Sequence, residues 1–229
     1  MYEEEREQGI DPEELNEIKE DPESFTLSVT TPDEVATIVD KPIITPHEDR
    51  PQYELRRPVF FVGFMVAGKT SVSRKLARSC GIASVDLDAY IERREGKAIN
   101  QIFAEIGEEG FREMETSVLD EFAHGEPLLV SCGGGIVLRP ENRKIIKENG
   151  CAVYLQVTAE EAAARIGDVS TRPNFHDLET ARKTIADRLP MYEETADCSV
   201  DTVGKSISEV AREVGEVLEK EGILCQLQK

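Results

Sequence analysis

The chain has 229 residues, a formal net charge of −19 and five cysteines. That length holds one domain of ordinary size with some excess. The acidic balance argues against nucleic acid and against an anionic membrane surface as partners, because both require clustered Lys and Arg. An anionic small molecule stays open as a substrate only if basic residues are focused in one cleft.

Residues 1–57 carry a net charge of −11 and six of the eleven prolines, and the remainder carries −8. This first segment reads as an acidic, Pro-containing, largely disordered extension whose partner is left open. Within it, Glu13 to Glu20 has the pattern of a short polar helix. Phe25–Val29 and Ala36–Val39 have weak strand character, and Pro32, Pro42, Pro46 and Pro51 interrupt any long element. The first residues lack a basic n-region and an apolar h-region, and they are too acidic for a transit peptide, so no targeting peptide is expected. No apolar run reaches transmembrane length. Cys80, Cys132, Cys151, Cys198 and Cys225 form no C-x-x-C pair, so reduced thiols and a cytoplasmic location are expected.

From Pro58 to residue 229 apolar runs alternate with helical patterns, which predicts an α/β domain built on a parallel sheet. The first strand is Val59–Val62. It runs into Gly63-Phe64-Met65-Val66-Ala67-Gly68-Lys69-Thr70, a G-x-x-x-x-G-K-[ST] motif, and then a helix over about Lys69–Ser79. Backbone N–H groups that crowd a polyphosphate need glycine, and the following helix N-terminus adds a positive dipole end. Lys69 is expected at the β- and γ-phosphates of ATP or GTP, and Thr70 on Mg²⁺. A short second strand ends near Asp86. In extended chain Asp86 and Asp88 share one face, one carboxylate for the metal water shell and one for an attacking hydroxyl.

Helices follow at Ala89–Arg94, Ile99–Gly107 and Glu108–Ala123. In the last, Arg112 and Glu115 are spaced i,i+3, so the carboxylate can orient the guanidinium for a bidentate grip on an anion. The third strand, Leu128–Ser131, ends at Gly133-Gly134-Gly135, which leaves bare backbone facing the cleft. A helix at Glu141–Glu148 and a fourth strand at Cys151–Val157 come next. Ala159–Arg165 is helical with Thr158 as N-cap. A polar loop covers about Gly167–Asp177 and carries Arg172, where a lid would be. A helix from Leu178 reaches Arg188 and beyond, with Pro190 interrupting it. Cys198–Asp201 is the fifth strand, and Ser206–Lys220 closes the domain with Ile207, Val210, Val214 and Leu218 on one face.

From about residue 58 to 221 the chain resembles shikimate kinase, a small P-loop enzyme of the nucleoside-monophosphate-kinase-like type. The resemblance is carried, in the family's order, by Gly63–Thr70, Asp86-x-Asp88, Phe111-Arg112-x-x-Glu115, Gly133–Gly135, Arg172-Pro173 and Arg188-x-x-x-Tyr192. It implies a three-layer α/β/α P-loop kinase fold with a five-stranded parallel sheet and a mobile lid at about 167–180. It also implies ATP- and Mg²⁺-dependent phosphorylation of the 3-hydroxyl of shikimate, on the route to chorismate and aromatic amino acids, by a monomer.

In that reading the loop at Gly63, Val66, Ala67, Gly68, Lys69, Thr70 and Ser71 holds the phosphates. Thr70 and Asp86 serve the metal. Asp88 orients or deprotonates the attacking hydroxyl, and Arg112 and Arg188 grip the carboxylate beside Gly133, Gly134 and Gly135. Arg172 closes from the lid onto the transferring phosphate, and Arg165 packs on the adenine. Two alternatives compete with this reading. A gluconate-kinase-like enzyme would not need both Arg112 and Arg188, and a non-catalytic module would not need Lys69, Thr70, Asp86, Asp88, Arg112 and Arg188 together. The chain departs from the family pattern at Val66, where glycine is usual and a β-branched residue disfavours positive φ. The lid continues Arg172-Pro173-Asn174-Phe175 in place of Arg-Pro-Leu-Leu, and the stretch to Arg188 is shorter than usual.

Overall fold

Strand β2 (Val59–Val62) is buried along its whole length, and its side chains alternate between two cores. Val59 and Phe61 join one apolar cluster; Phe60 and Val62 join the other. A strand buried on both faces belongs at the centre of a parallel sheet. In the computed structural model, which describes residues 53–165 and 178–227, β2 pairs in parallel with β4 (Leu129–Ser131) and β5 (Cys151–Gln156). β3 (Ser84–Asp86) and β6 (Cys198–Asp201) complete a five-stranded parallel sheet of order β3-β4-β2-β5-β6.

The helices form the two outer layers. α1 (Lys69–Cys80) and α7 (Ile207–Lys220) cover the first face, through Val72, Leu76 and Ala77 of α1 and Val210, Val214 and Leu218 of α7. α2 (Leu87–Glu95), α3 (Ile99–Ala123) and α4 (Pro140–Asn149) cover the second. α5 (Ala159–Arg165) packs against the first cluster. α6 (Leu178–Thr195) spans both, with Ala181 on one side and Tyr192 on the other. α7 is started by a reciprocal cap, in which Glu209 N–H donates to Ser206 Oγ while Glu209 Oε2 accepts from Ser206 N–H. α3 is kinked at Gly107, whose φ of 74° is not helical. The split expected between Gly107 and Glu108 lies at that point.

Three expectations are corrected. First, the extension does not run to residue 57. Tyr53–Leu55 forms β1, antiparallel to β7 (Leu224–Gln226), and Arg56 N–H donates to Ile223 O at 2.9 Å. Leu55 is buried in the first core, so the folded part reaches back at least to Tyr53. Second, Pro190 does not end its helix, since α6 continues to Thr195. Proline removes one i→i−4 bond; the carbonyl released belongs to Ala186, and both residues are exposed, so water can take its place. Third, Asp86 and Asp88 do not lie along one strand, because β3 stops at Asp86 and α2 begins at Leu87. Asp86 is the N-cap, its Oδ1 accepting from Ala89 N–H at 3.0 Å. The expectations at Glu13–Glu20, Phe25–Val29 and Ala36–Val39, and the lid up to Asp177 with Arg172, lie outside the described residues.

β1 enters β2 from the amino-terminal edge of the sheet, opposite the carboxyl ends of its strands. Deleting residues 1–50 should therefore leave turnover within about twofold, because nothing of β1 is lost. Deleting residues 1–57 removes Leu55 from the core and should cost about 2–3 kcal/mol, read as a lower midpoint in denaturant unfolding.

Candidate active site

The strands bring their carboxyl ends to one edge, and the singled-out residues gather there. Gly63 leaves β2 with φ 145°, and a Cβ on it would lie 2.6 Å from Leu155 O. Only glycine lets the loop turn that close to β5. The loop then folds back on itself. Lys69, 8% exposed, donates from Nζ to Gly63 O and Phe64 O, both at 2.9 Å. Its ammonium thus stands over the mouth of the loop, next to the N-terminus of α1.

Thr70 faces the adjacent strands. Its hydroxyl donates to Asp86 Oδ2 at 2.6 Å and lies 3.1 Å from Ser131 Oγ. Ser131 and Asp86 are register partners at the ends of β4 and β3. Three oxygen ligands around one point, with a single carboxylate, suit a hard cation that keeps its water and shares phosphate oxygens. Among the described residues no group of three His, Cys, Asp or Glu is placed to hold a metal alone.

Asp88, in the first turn of α2, looks across to the glycine segment. A Cβ on Gly133 would lie 2.9 Å from both Asp88 Oδ1 and Glu115 Oε1. Burial first, then the charges of Asp86 and Glu115, push the Asp88 carboxyl up to about 6, while Lys69 and Arg112 pull the other way. Arg112 lies against the last glycine of the three, since a Cβ on Gly135 would fall 2.6 Å from its guanidinium nitrogens. Its Nη1 donates to Glu115 Oε2 at 2.7 Å, the pairing the i,i+3 spacing predicted. Glu115 is 1% exposed, and burial raises its carboxyl above the usual range against the pull of Arg112. Glu115 Oε1 and Arg112 Nε have no hydrogen-bond partner among the described residues, and a polar ligand would satisfy such buried groups. From the far side α6 reaches Gly134, whose carbonyl accepts from Arg188 at 3.2 Å and from the Tyr192 hydroxyl at 2.7 Å. Asp88, Arg112 and Arg188 thus converge on three consecutive glycines.

A family model described as Shikimate kinase matches residues 65–219. The chain belongs to the shikimate kinase family. Curated shikimate kinases among its relatives include those of Dehalococcoides mccartyi, 40% identical over 164 residues (71% of this chain, 93% of that protein), and Geobacter metallireducens, 39% identical over 166 residues (71% and 92%). Similar solved structures include the shikimate kinase of Acinetobacter baumannii in complex with shikimate, 32% identical, covering 76% of this chain and 96% of that one at a TM-score of 0.67. The shikimate kinase of Aquifex aeolicus is 31% identical, covering 72% and 98%, at a TM-score of 0.65. The expected three-layer fold is the one observed.

Within this shikimate kinase fold, Arg165 hydrogen-bonds Val66 O and the hydroxyl and carbonyl of Thr202, and pairs with Glu161. It therefore clamps the phosphate loop to the β6–α7 connection. Arg172 falls outside the described residues. Sequence reasoning passed over Ser131 and Tyr192 as site residues. The signal for Ser131 was available: a hydroxyl ending an apolar strand at the carboxyl edge. Tyr192 stood in the Arg188-x-x-x-Tyr192 motif, but its contact with Gly134 depends on the course of α6 past Pro190.

Val66 adopts φ 56°, so the position does require the left-handed region that valine disfavours. The cost is about 1–2 kcal/mol. The clamp from Arg165 and the bonds from Lys69 come from the protein itself and hold the loop in this shape, so the strain falls on folding and not on binding. Val66→Gly should leave the KM for ATP within about twofold. A much lower KM would show that the loop must be reshaped by ATP.

Proposed function

We propose that this chain transfers the γ-phosphoryl group of ATP to the 3-hydroxyl of shikimate. The observation that carries the reading is the convergence of Asp88, Arg112 and Arg188 on Gly133–Gly135 beside the phosphate loop. A guanidinium oriented by a buried carboxylate grips a carboxylate ligand bidentately, and a second from α6 approaches from the opposite wall. That arrangement explains how a protein of net charge −19 takes an anionic acid. Asp88, raised by burial and its acidic neighbours to about 6 and so ionised at neutral pH, accepts the hydrogen bond of the attacking hydroxyl and can take its proton.

Phosphoryl transfer demands positioning and charge neutralisation more than covalent chemistry. Lys69 and the amides of the loop supply both to the phosphates. Thr70 and Asp86, with Ser131 behind them, are the residues that would hold Mg²⁺, which when bound neutralises charge on the phosphate oxygens. Arg165 borders the adenine side, and Arg172 is assigned to the transferring phosphate on the family resemblance. The chain from Tyr53 onward is read as the working kinase, a monomer in a reducing cytoplasm, with residues before Tyr53 outside the catalytic machinery.

The test is direct. Purified protein with Mg·ATP should release ADP only when shikimate is added. Equal turnover with gluconate would sink the assignment.

A further inference from the structure

One ion pair stands at the rim of the acceptor site and has no part in the roles assigned so far. Arg139 follows the 3₁₀ turn Ile136–Leu138, which itself follows Gly133–Gly135. Its guanidinium pairs with Glu109 of α3. Glu109 and Arg112 are three residues apart on one helical segment, beyond the kink at Gly107, and so share a face. The pair therefore joins the two walls of the site, α3 and the segment after the glycines, beside Arg112. A second observation places Arg139 in the same field: the charges of Arg112, Arg139 and Arg188 all act on the buried carboxyl of Glu115. One buried carboxylate thus lies within the field of three guanidinium groups.

The partners of these cations differ in kind. Glu115 is buried and fixed, whereas the Glu109 side chain is 78% exposed. Glu108, 71% exposed, lies 3.7 Å from Arg112 in a similar outer position. An exposed carboxylate holds its cation weakly, because water competes for both. A ligand carboxylate inside the cleft, shielded from water and already gripped by Arg112, is the stronger partner.

We propose that Arg139 is a third reader of the substrate carboxylate, and that Glu109 is the latch that competes for it. The arriving carboxylate takes the guanidinium from Glu109, and the rim of the pocket is released from α3 as it fills. An uncharged acceptor cannot make that exchange, so the latch favours acids over neutral polyols. This inference rests on shikimate being the acceptor, as proposed above.

The experiment measures steady-state kinetics with shikimate and ATP varied separately, for the wild type, Glu109→Gln, Arg139→Gln and the double variant. Isothermal titration with shikimate alone and a thermal melt accompany each. Arg139→Gln should raise the KM for shikimate about tenfold or more while the KM for ATP stays put. Glu109→Gln should lower the KM for shikimate by about twofold to fivefold, the range an exposed pair supports. The double variant should match Arg139→Gln alone, since a latch without its bolt has nothing to hold. A KM for shikimate that moves less than twofold in Arg139→Gln overturns the proposal. So does a Glu109→Gln variant that weakens shikimate binding as Arg139→Gln does, which would make the pair a structural brace. Glu109 is exposed, so its substitution does not threaten folding and keeps the second arm decisive. If the wild type fails to use shikimate at all, the acceptor reading falls and the latch with it; if it uses shikimate and the variants behave alike, only the latch falls.

Discussion

Asp88→Asn should stop turnover and at the same time make the protein more stable above neutral pH. Asparagine keeps the shape of the side chain but cannot take a proton from the attacking hydroxyl, and a positioned base contributes about 10²–10⁴ in rate. The stability effect follows from the same environment. Burial, Asp86 and Glu115 lift the carboxyl to about 6 from an ordinary value of 3.8, so the fold prefers its neutral form. That preference favours the folded state fully below pH 3.8 and is lost as pH rises through about 6. At pH 8 the wild type therefore carries a charge its surroundings resist, and Asp88→Asn should be more stable by about 1–3 kcal/mol. By pH 4 the difference should vanish. Wild-type kcat/KM for shikimate should fall as pH drops below about 6, when Asp88 takes up its proton. Melting curves of both proteins across pH 4 to 8 check this; parallel curves would show that the carboxyl is not held up by its surroundings.

Lys69→Ala should lower kcat by about 10³ or more with little loss of fold. The ammonium is nearly buried and already stands over the loop, on Gly63 O and Phe64 O. Phosphate oxygens can take the place of these carbonyls, and the charge already stands at the loop. Alanine removes that charge and also frees two carbonyls at the loop entrance. Single-turnover transfer from ATP to shikimate is the measurement, and a variant that keeps a tenth of wild-type turnover would remove Lys69 from the chemistry.

Much of the framework was legible because it depends on local pattern. The strand runs Val59–Val62 and 151–155 are apolar throughout, as doubly covered strands must be, and Ile207, Val210, Val214 and Leu218 mark one face of α7. Gly107 marked the break in α3. What escaped depends on partners distant in sequence. β1 and β7 have three residues each, too few to show a period, and exist because they pair with each other across the whole fold. Asp86 reads as a strand residue until the cap it makes with Ala89 turns the chain into α2 and puts Asp88 on a helix. Arg139 lies 30 residues from Glu109, and no spacing rule connects them. At the site itself the residue types were readable from motif and resemblance, but the arrangement of three side chains about Gly133–Gly135 came from the sheet that brings β3, β4 and α6 together.

The pairing of Tyr53 with Gln226 places the two ends of the described domain side by side. Partners in an antiparallel ladder sit about 5 Å apart. A short linker could join them, and new termini could be opened elsewhere on the surface, so the kinase is a natural substrate for circular permutation. A reporter joined next to Tyr53 or Gln226 would sit on that same side, turned away from the carboxyl edge of the sheet where the phosphate loop lies.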